Sequence, residues 1–199
     1  MMDDVNRLLD YLEIHTPATR QIYASMAQRR QLKKGEVLYR GGEDTTYLYF
    51  LISGCLRGYT VNANGREYTE CILYRYGHSH IGEIGMEHEF KLNKNLEALT
   101  DAELLFFDIR PIMKELPNSI EFLRVYAKKL EEAYTQMWEV REIMREPALV
   151  RYQWFQKAYP NLQDVMQLKD VASFLGITPV TLSRIRAKET EEKEKGRTE

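Results

Sequence analysis

The sequence predicts an α+β chain: two short helices, an N-terminal double-stranded β-roll of the jelly-roll type, one long helix, and a C-terminal pair of crossed helices. Three observations predict it. From Gln31 to Asp108, brief runs of Tyr, Ile, Leu and Val are broken by Lys34-Gly35-Glu36, Gly41-Gly42, Ser53-Gly54, Asn62-Ala63-Asn64-Gly65 and Tyr76-Gly77, which is the punctuation of antiparallel strands. After Pro117 the apolar period changes from two to three and a half. Near the end, a small residue, a glycine, a Thr-Pro pair and spaced aliphatics stand in the register of a helix-turn-helix.

Composition bounds these elements. The chain has 199 residues and is 44% hydrophobic, enough for one or two cores and unlike a disordered, collagenous or disulfide-stapled chain. No apolar run reaches the roughly 20 residues that span a bilayer, and Met1-Met2-Asp3-Asp4 is acidic where a secretory signal is basic, so the expectation is a cytoplasmic protein without a membrane partner. Cys55 and Cys71 fall in separate strands without CxxC spacing and are expected to pack as small apolar side chains. The net charge of −2 is uneven: residues 1–144 hold 18 basic and 22 acidic side chains, residues 145–199 hold 10 and 8. Arg184, Arg186 and Lys188 form a short basic face, followed at once by the acidic run Glu189, Glu191, Glu192 and Glu194.

At the N-terminus, Leu8, Leu9 and Leu12 share one helical face, and Thr16-Pro17 gives the cap and first residue of a second helix within residues 3–28. These helices are expected to lie as a lid on the roll. The clearest hairpin joins Cys55–Val61 to Arg66–Tyr74, because Asn64-Gly65 accepts positive φ at little cost. Strands near Leu96–Leu99 and Glu103–Asp108 close the roll. Ile120, Leu123, Ala127, Leu130, Tyr134, Met137, Arg141 and Met144 then advance by steps of three and four, the seam of a coiled coil, on a helix of about 26 residues reaching about 39 Å. Phe122, Tyr126, Ala133 and Val140 form a second apolar line expected to cover the roll while the seam meets a partner's seam. Pro147 ends this helix, and Lys188–Glu199 is expected to fray. The domains are therefore drawn as a sensor roll over residues 1–116, a dimerisation helix over 117–146, and a DNA-binding unit over 147–199.

The segment Leu168 to Arg186 carries the chemistry. Ala172 permits close helix crossing and Gly176 takes the turn. Val171, Leu175, Ile177, Leu182 and Ile185 form a small core, Thr178 caps the second helix and Pro179 starts it. That leaves Val180, Thr181, Ser183, Arg184 and Lys188 facing a major groove. Arg184 is the expected base reader, since arginine reaches guanine O6 and N7 with two hydrogen bonds, and Val180 suits a thymine methyl. Lys169, Thr178, Thr181 and Arg186 are the expected phosphate contacts.

With Gly82-Glu83-Ile84-Gly85 and the string from Leu175-Gly176 to Ser183-Arg184, the order of elements resembles the Crp/Fnr family of bacterial transcription regulators over nearly the whole chain. The resemblance implies a cyclic-nucleotide-binding-like β-roll, a central dimerisation helix and a C-terminal helix-turn-helix acting on double-stranded DNA as a homodimer, with RNA polymerase a candidate further partner. It also implies an effector pocket at Gly82, Glu83, Ile84, Gly85, Leu92, Asn93 and Lys94. In cyclic-AMP-binding members a glutamate holds the ribose and an Arg-Ser pair grips the phosphate. Glu83 fits the first part, but Leu92-Asn93-Lys94 brings no arginine, and lysine lacks the bidentate fork, so cyclic AMP is not the expected effector. The cysteine cluster of iron–sulfur members is absent, and the wing that often follows the reading helix is read as truncated. No cofactor or metal is assigned.

Two rivals stand beside this reading. His78-Ser79-His80 with Glu83 suggests a cupin-like metal-dependent enzyme on a similar roll, but the glutamate comes early and no second histidine-bearing strand follows. The acidic end and low net charge suggest a sensor or interaction module that does not bind DNA. The expectation is a regulator and not an enzyme.

Overall fold

The computed structural model describes residues 2–43, 47–81, 94–108, 110–111, 114 and 119–195. The chain divides into two compact units, one made of Met1–Thr60 with Cys71–Tyr134 and the other of Val61–Glu70 with Thr135–Glu199.

Among the described residues, α1 (Met2–Tyr11) and α2 (Pro17–Met26) precede eight strands, all in the first unit except Val61 and Glu67–Glu70: β1 (Gln28–Leu32), β2 (Val37–Tyr39), β3 (Tyr47–Ser53), β4 (Leu56–Val61), β5 (Glu67–Leu73), β6 (Ser79–Ile81), β7 (Asn95–Ala98) and β8 (Ala102–Asp108). They form two four-stranded sheets with orders β1-β8-β3-β6 and β2-β7-β4-β5, the two layers of the expected roll. Strand alternation divides the apolar residues between two cores. Tyr49, Leu51 and Leu104 point one way and join Leu32, Tyr39, Leu56, Leu73 and Leu96 in a cluster drawn from both sheets. Leu48, Phe50, Leu105 and Phe107 point the other way, where Val5, Leu8 and Leu9 of α1, Leu12 just after it and Tyr23 of α2 cover them. Cys55 is buried, which pushes its thiol up to about 12, and both cysteines are free.

The long helix α3 runs Ile120–Ile143. Its first half buries Phe122 and Val125 in the same core as α1 and α2. The second apolar line departs from expectation. The inward face is Phe122, Val125 and Lys129, whereas Tyr126 is half-buried and Ala133 is exposed. Lys129 is buried because its ammonium is satisfied: Nζ donates to the Gly77 carbonyl at 3.3 Å, pairs with Glu132 at 2.7 Å, and lies 5.0 Å from the Tyr11 ring. At the start of α3, Glu121 Oε1 accepts from the backbone N–H of both His15 and Thr16 at 2.9 Å. The Thr16 hydroxyl makes no cap bond to α2, so this carboxylate holds the entrance to that helix.

The second unit contains α4 (Ala148–Ala158), the single turn α5 (Leu162–Val165), α6 (Leu168–Phe174) and α7 (Pro179–Lys195). Its core is aromatic. Phe155 stacks on Tyr159 with ring centroids 5.3 Å apart, and Phe174 lies 5.4 Å from Tyr159, edge to face. Two further expectations are corrected here. Met144 lies one residue beyond the end of α3, in a turn, and its Sδ is 3.6 Å from where a Cβ on Gly176 would stand, so it faces the helix-turn-helix instead of ending the seam. The charged end does not begin to fray at Lys188, because α7 continues to Lys195. Glu189 and Glu191 precede Lys193 and Lys195 by four residues, the favourable order for ion pairs along a helix, and none of these residues is a helix breaker.

Candidate nucleic-acid interface

The turn between α6 and α7 is built locally. Gly176 adopts φ +63°, its N–H donates to the Ser173 carbonyl at 3.1 Å, and the Ile177 N–H reaches the Ala172 carbonyl at 3.0 Å. This pair of bonds is a Schellman motif, which satisfies the last carbonyls of α6 and demands a residue that tolerates the left-handed region. Arg151 Nη1 donates to the Leu175 carbonyl at 3.0 Å and secures the same turn from α4.

Thr178 then caps α7 as expected. Its Oγ1 accepts from the Thr181 N–H at 3.1 Å and shares a hydrogen bond with the Thr181 hydroxyl at 2.8 Å. Pro179 follows as the first helical residue, where the missing N–H costs nothing. Leu182 is fully buried, and Ile185, Arg186 and Glu189 continue that inward face at steps of three and four. Val180, Ser183, Arg184, Ala187 and Lys188 are exposed and Thr181 is half-buried, so one face of α7 offers a methyl-bearing residue, a hydroxyl and two cations. Lys169 is exposed in the first turn of α6.

Arg186 is placed differently. Its guanidinium carbon lies 5.6 Å from the centroid of the buried Tyr152 ring, and Nε and Nη2 are buried without a hydrogen-bond partner among the described residues. Those two N–H groups belong to the packing of α7 on α4 and not to the outward face.

Of the expected effector residues, Gly82, Glu83, Ile84, Gly85, Leu92 and Asn93 lie outside the described residues. Lys94 is described: its Nζ stands 3.9 Å from Cys71 Sγ. His78 of the HxH motif is turned to the backbone, where Nδ1 accepts from the Tyr74 N–H at 3.3 Å. Burial, with help from Arg75 and Lys129, pushes its pKa down to about 4, so it is neutral near pH 7. Among the described residues no group of His, Cys, Asp and Glu is arranged to hold a metal ion.

The seam residues of α3 are solvent-facing. Ile120 (66%), Tyr134 (60%) and Met137 (61%) are the most exposed, Leu123 and Leu130 follow, and Ala127 and Arg141 are exposed as well. Trp138, which the heptad reading omits, is exposed beside them with Arg141 over its ring.

Sequence reasoning missed one contact altogether. The tip of the β4–β5 hairpin, which belongs to the second unit, docks on α6: the Ser173 hydroxyl accepts from the Thr69 N–H at 3.0 Å and donates to the Glu67 carbonyl at 3.2 Å. Arg66, Tyr68, Ser173, Gly176, Ile177 and Thr178 line a cleft of about 210 Å³ beside this contact. A serine in the last turn of a helix carries no pattern from which such a partner can be read.

Comparison with known proteins agrees with this architecture. Residues 29–116 match the cyclic nucleotide-binding domain family. The fold is shared with FixK2 from Bradyrhizobium japonicum, at 18% identity over 83% of this chain and 85% of that one, with a TM-score of 0.70. It is shared also with the c-di-GMP-responsive global regulator CLP of Xanthomonas campestris, at 15% identity over 89% and 93% of the two chains, TM-score 0.70. A third neighbour, from Eubacterium rectale and described as a transcriptional regulator of the Crp/Fnr family, is 16% identical over 93% and 88%, TM-score 0.74. The fold is thus a cyclic-nucleotide-binding-type roll followed by a helix-turn-helix, the architecture of Crp/Fnr regulators. Curated relatives include the lysophospholipase NTE1 of Cryptococcus neoformans, 29% identical over 110 residues; the match takes in 52% of this chain and spans only 6% of that protein's length. No helix among the described residues is long and apolar enough to cross a membrane.

Proposed function

We propose that this chain is a sequence-specific DNA-binding transcriptional regulator of the Crp/Fnr type, acting as a homodimer on a pseudo-palindromic operator. The observation that carries the reading is the exposed face of α7. Val180, Ser183, Arg184 and Lys188 stand outward on a helix whose start is fixed by the Gly176 turn and the Thr178 cap and whose other face is anchored by Leu182. A helix so presented fits a major groove, with Arg184 reading a base and Lys169, Thr178 and Thr181 setting its position on phosphates. The exposed apolar seam of α3 supports contact with a second copy, and a two-fold dimer on B-form DNA needs its two reading helices about 34 Å apart, one helical turn. The roll is the sensor. Its effector is not identified, and the sequence around Lys94 lacks the arginine that would suit cyclic AMP. No enzymatic role is assigned.

The test is selection of bound sequences from random duplexes, followed by the Arg184→Ala variant on the selected operator. A two-fold-related consensus is expected, and the variant is expected to lose about 1–3 kcal/mol of discrimination at one base pair per half-site. Absence of any enriched sequence, or an identical preference after Arg184→Ala, refutes the assignment.

A further inference from the structure

We propose that Arg66, on the tip of the β4–β5 hairpin, is an additional contact to the DNA backbone, so that the phosphate-gripping surface includes a cation from outside the helix-turn-helix. The proposal rests on the DNA-binding role assigned to α7 and extends that same surface.

Arg66 is held in place from both ends. Asn62 Oδ1 accepts from the N–H of Asn64 at 3.0 Å and of Arg66 at 2.9 Å, while the Asn62 N–H donates to the Arg66 carbonyl at 3.0 Å. The Gly65 N–H reaches the Asn62 carbonyl at 2.9 Å, and only Gly65 takes positive φ, at +74°. The tip is therefore a tight turn closed by a single left-handed glycine, with Arg66 as the first residue after it. On the other side, Ser173 adds its hydroxyl to the edge of β5 through Thr69 and Glu67, and Thr69 is almost completely buried by that docking. The hairpin tip is thus fastened to the last turn of α6.

The charge at that point is available. Arg66 is exposed, its guanidinium carbon lies 5.2 Å from the Tyr68 ring, and among the described residues no carboxylate pairs with it. Ring and guanidinium favour each other without neutralising the cation. Arg66 and Tyr68 line one wall of the cleft whose other wall is Gly176, Ile177 and Thr178, the turn and cap that precede the reading face of α7. In a helix inserted N-terminus first into a major groove, the strand beside that cap carries the flanking phosphates, which backbone N–H groups and arginines bind. An arginine side chain is long enough to reach such a phosphate from the neighbouring wall, and its planar fork suits two phosphate oxygens.

The prediction is electrostatic and independent of base sequence. Affinity for the selected operator is to be measured by fluorescence anisotropy over a series of salt concentrations, for wild type, Arg66→Ala, Arg66→Lys and Ser173→Ala. Each phosphate contact contributes about 0.9 to the slope of log affinity against log salt, so Arg66→Ala in a two-fold dimer is expected to flatten the slope by about 1.8. It should weaken all operator variants equally. Arg66→Lys should keep most of the slope. Ser173→Ala, acting as a positioning residue, should flatten it too, and combining it with Arg66→Ala should add little. A wild type that binds no DNA overturns both this proposal and the role of α7. A wild type that binds its operator with a slope unchanged in Arg66→Ala overturns this proposal alone, as does tighter binding by that variant, which would mean that the hairpin obstructs the DNA.

Discussion

The helices α3 and α7 are built alike and finished differently. Each buries one stripe at steps of three and four and leaves another exposed, but the exposed stripe of α3 is Ile120, Leu123, Leu130, Tyr134 and Met137, whereas that of α7 is Val180, Ser183, Arg184 and Lys188. Single exposed hydrophobics are ordinary on protein surfaces; a continuous heptad line of them is not, and it gains free energy only by meeting apolar surface. A stripe of hydroxyls and cations gains little from apolar surface and much from a polyanion. The same backbone geometry therefore suits a protein partner in one place and, on the function proposed above, a nucleic acid in the other, and the side chains alone make the distinction.

The largest effect that tests this contrast lies on α3. Leu130→Asp places an unpaired carboxylate in the middle of the seam, twice per dimer, and is expected to cost at least about 3 kcal/mol of association. Sedimentation should show a monomer, and operator affinity should fall because the two half-sites are no longer bound together. The variant should still fold, since Leu130 is nearly half exposed and belongs to neither core of the first unit. A dimer that survives Leu130→Asp removes the seam from the interface and with it the assigned role of the apolar stripe.

The inward face of α3 offers a second, smaller test, by pH. Lys129 on that face and Arg75 both disfavour the charged form of His78, Glu132 opposes them weakly, and burial is the largest influence. With the folded pKa depressed to about 4 from the ordinary 6.5, the unfolded chain binds the proton first as pH falls. The contribution of neutral His78 is thus complete above pH 6.5 and is lost progressively down to about pH 4, amounting to at most about 3 kcal/mol. Urea melts at pH 7.5, 5.5 and 4.5 should show this decline in wild type and a flatter dependence in His78→Gln. An equal decline in both places the acid sensitivity elsewhere in the first unit.

What could be read in advance follows from how local each feature is. The Gly176-Ile177-Thr178-Pro179 turn was legible because its backbone and capping bonds join residues at most five apart, and the exposed apolar stripe of α3 because a period survives any tertiary context. The inward Lys129 was not, since a lysine counts as polar in any pattern and only the Gly77 carbonyl, the Tyr11 ring and Glu132 make its burial tolerable. The continuation of α7 was missed for a different reason: Glu189 to Lys195 was weighed by its net charge, when its spacing of glutamate before lysine favours a helix. The docking of Thr69 on Ser173, 104 residues apart, has no sequence signature, and it is this contact that brings Arg66 beside the turn before α7.

The smallest expected effect is at Thr178, where stability and recognition can be separated. Its hydroxyl satisfies the Thr181 N–H, and loss of such a cap costs about 0.5–2 kcal/mol. Thr178→Ala should therefore lower the urea midpoint, while Thr178→Ser, which keeps the oxygen, should restore most of it. If the same hydroxyl also meets a phosphate, Thr178→Ala will weaken binding to every operator variant by a similar factor under conditions where the protein is fully folded, and serine will restore that too. If it only caps, affinity below the melting range will match wild type and the loss will appear in the melt alone. A change in which base is preferred fits neither role; it would mean that the start of α7 enters the groove more deeply than Arg184 does, and would move the reading residues one turn toward Pro179.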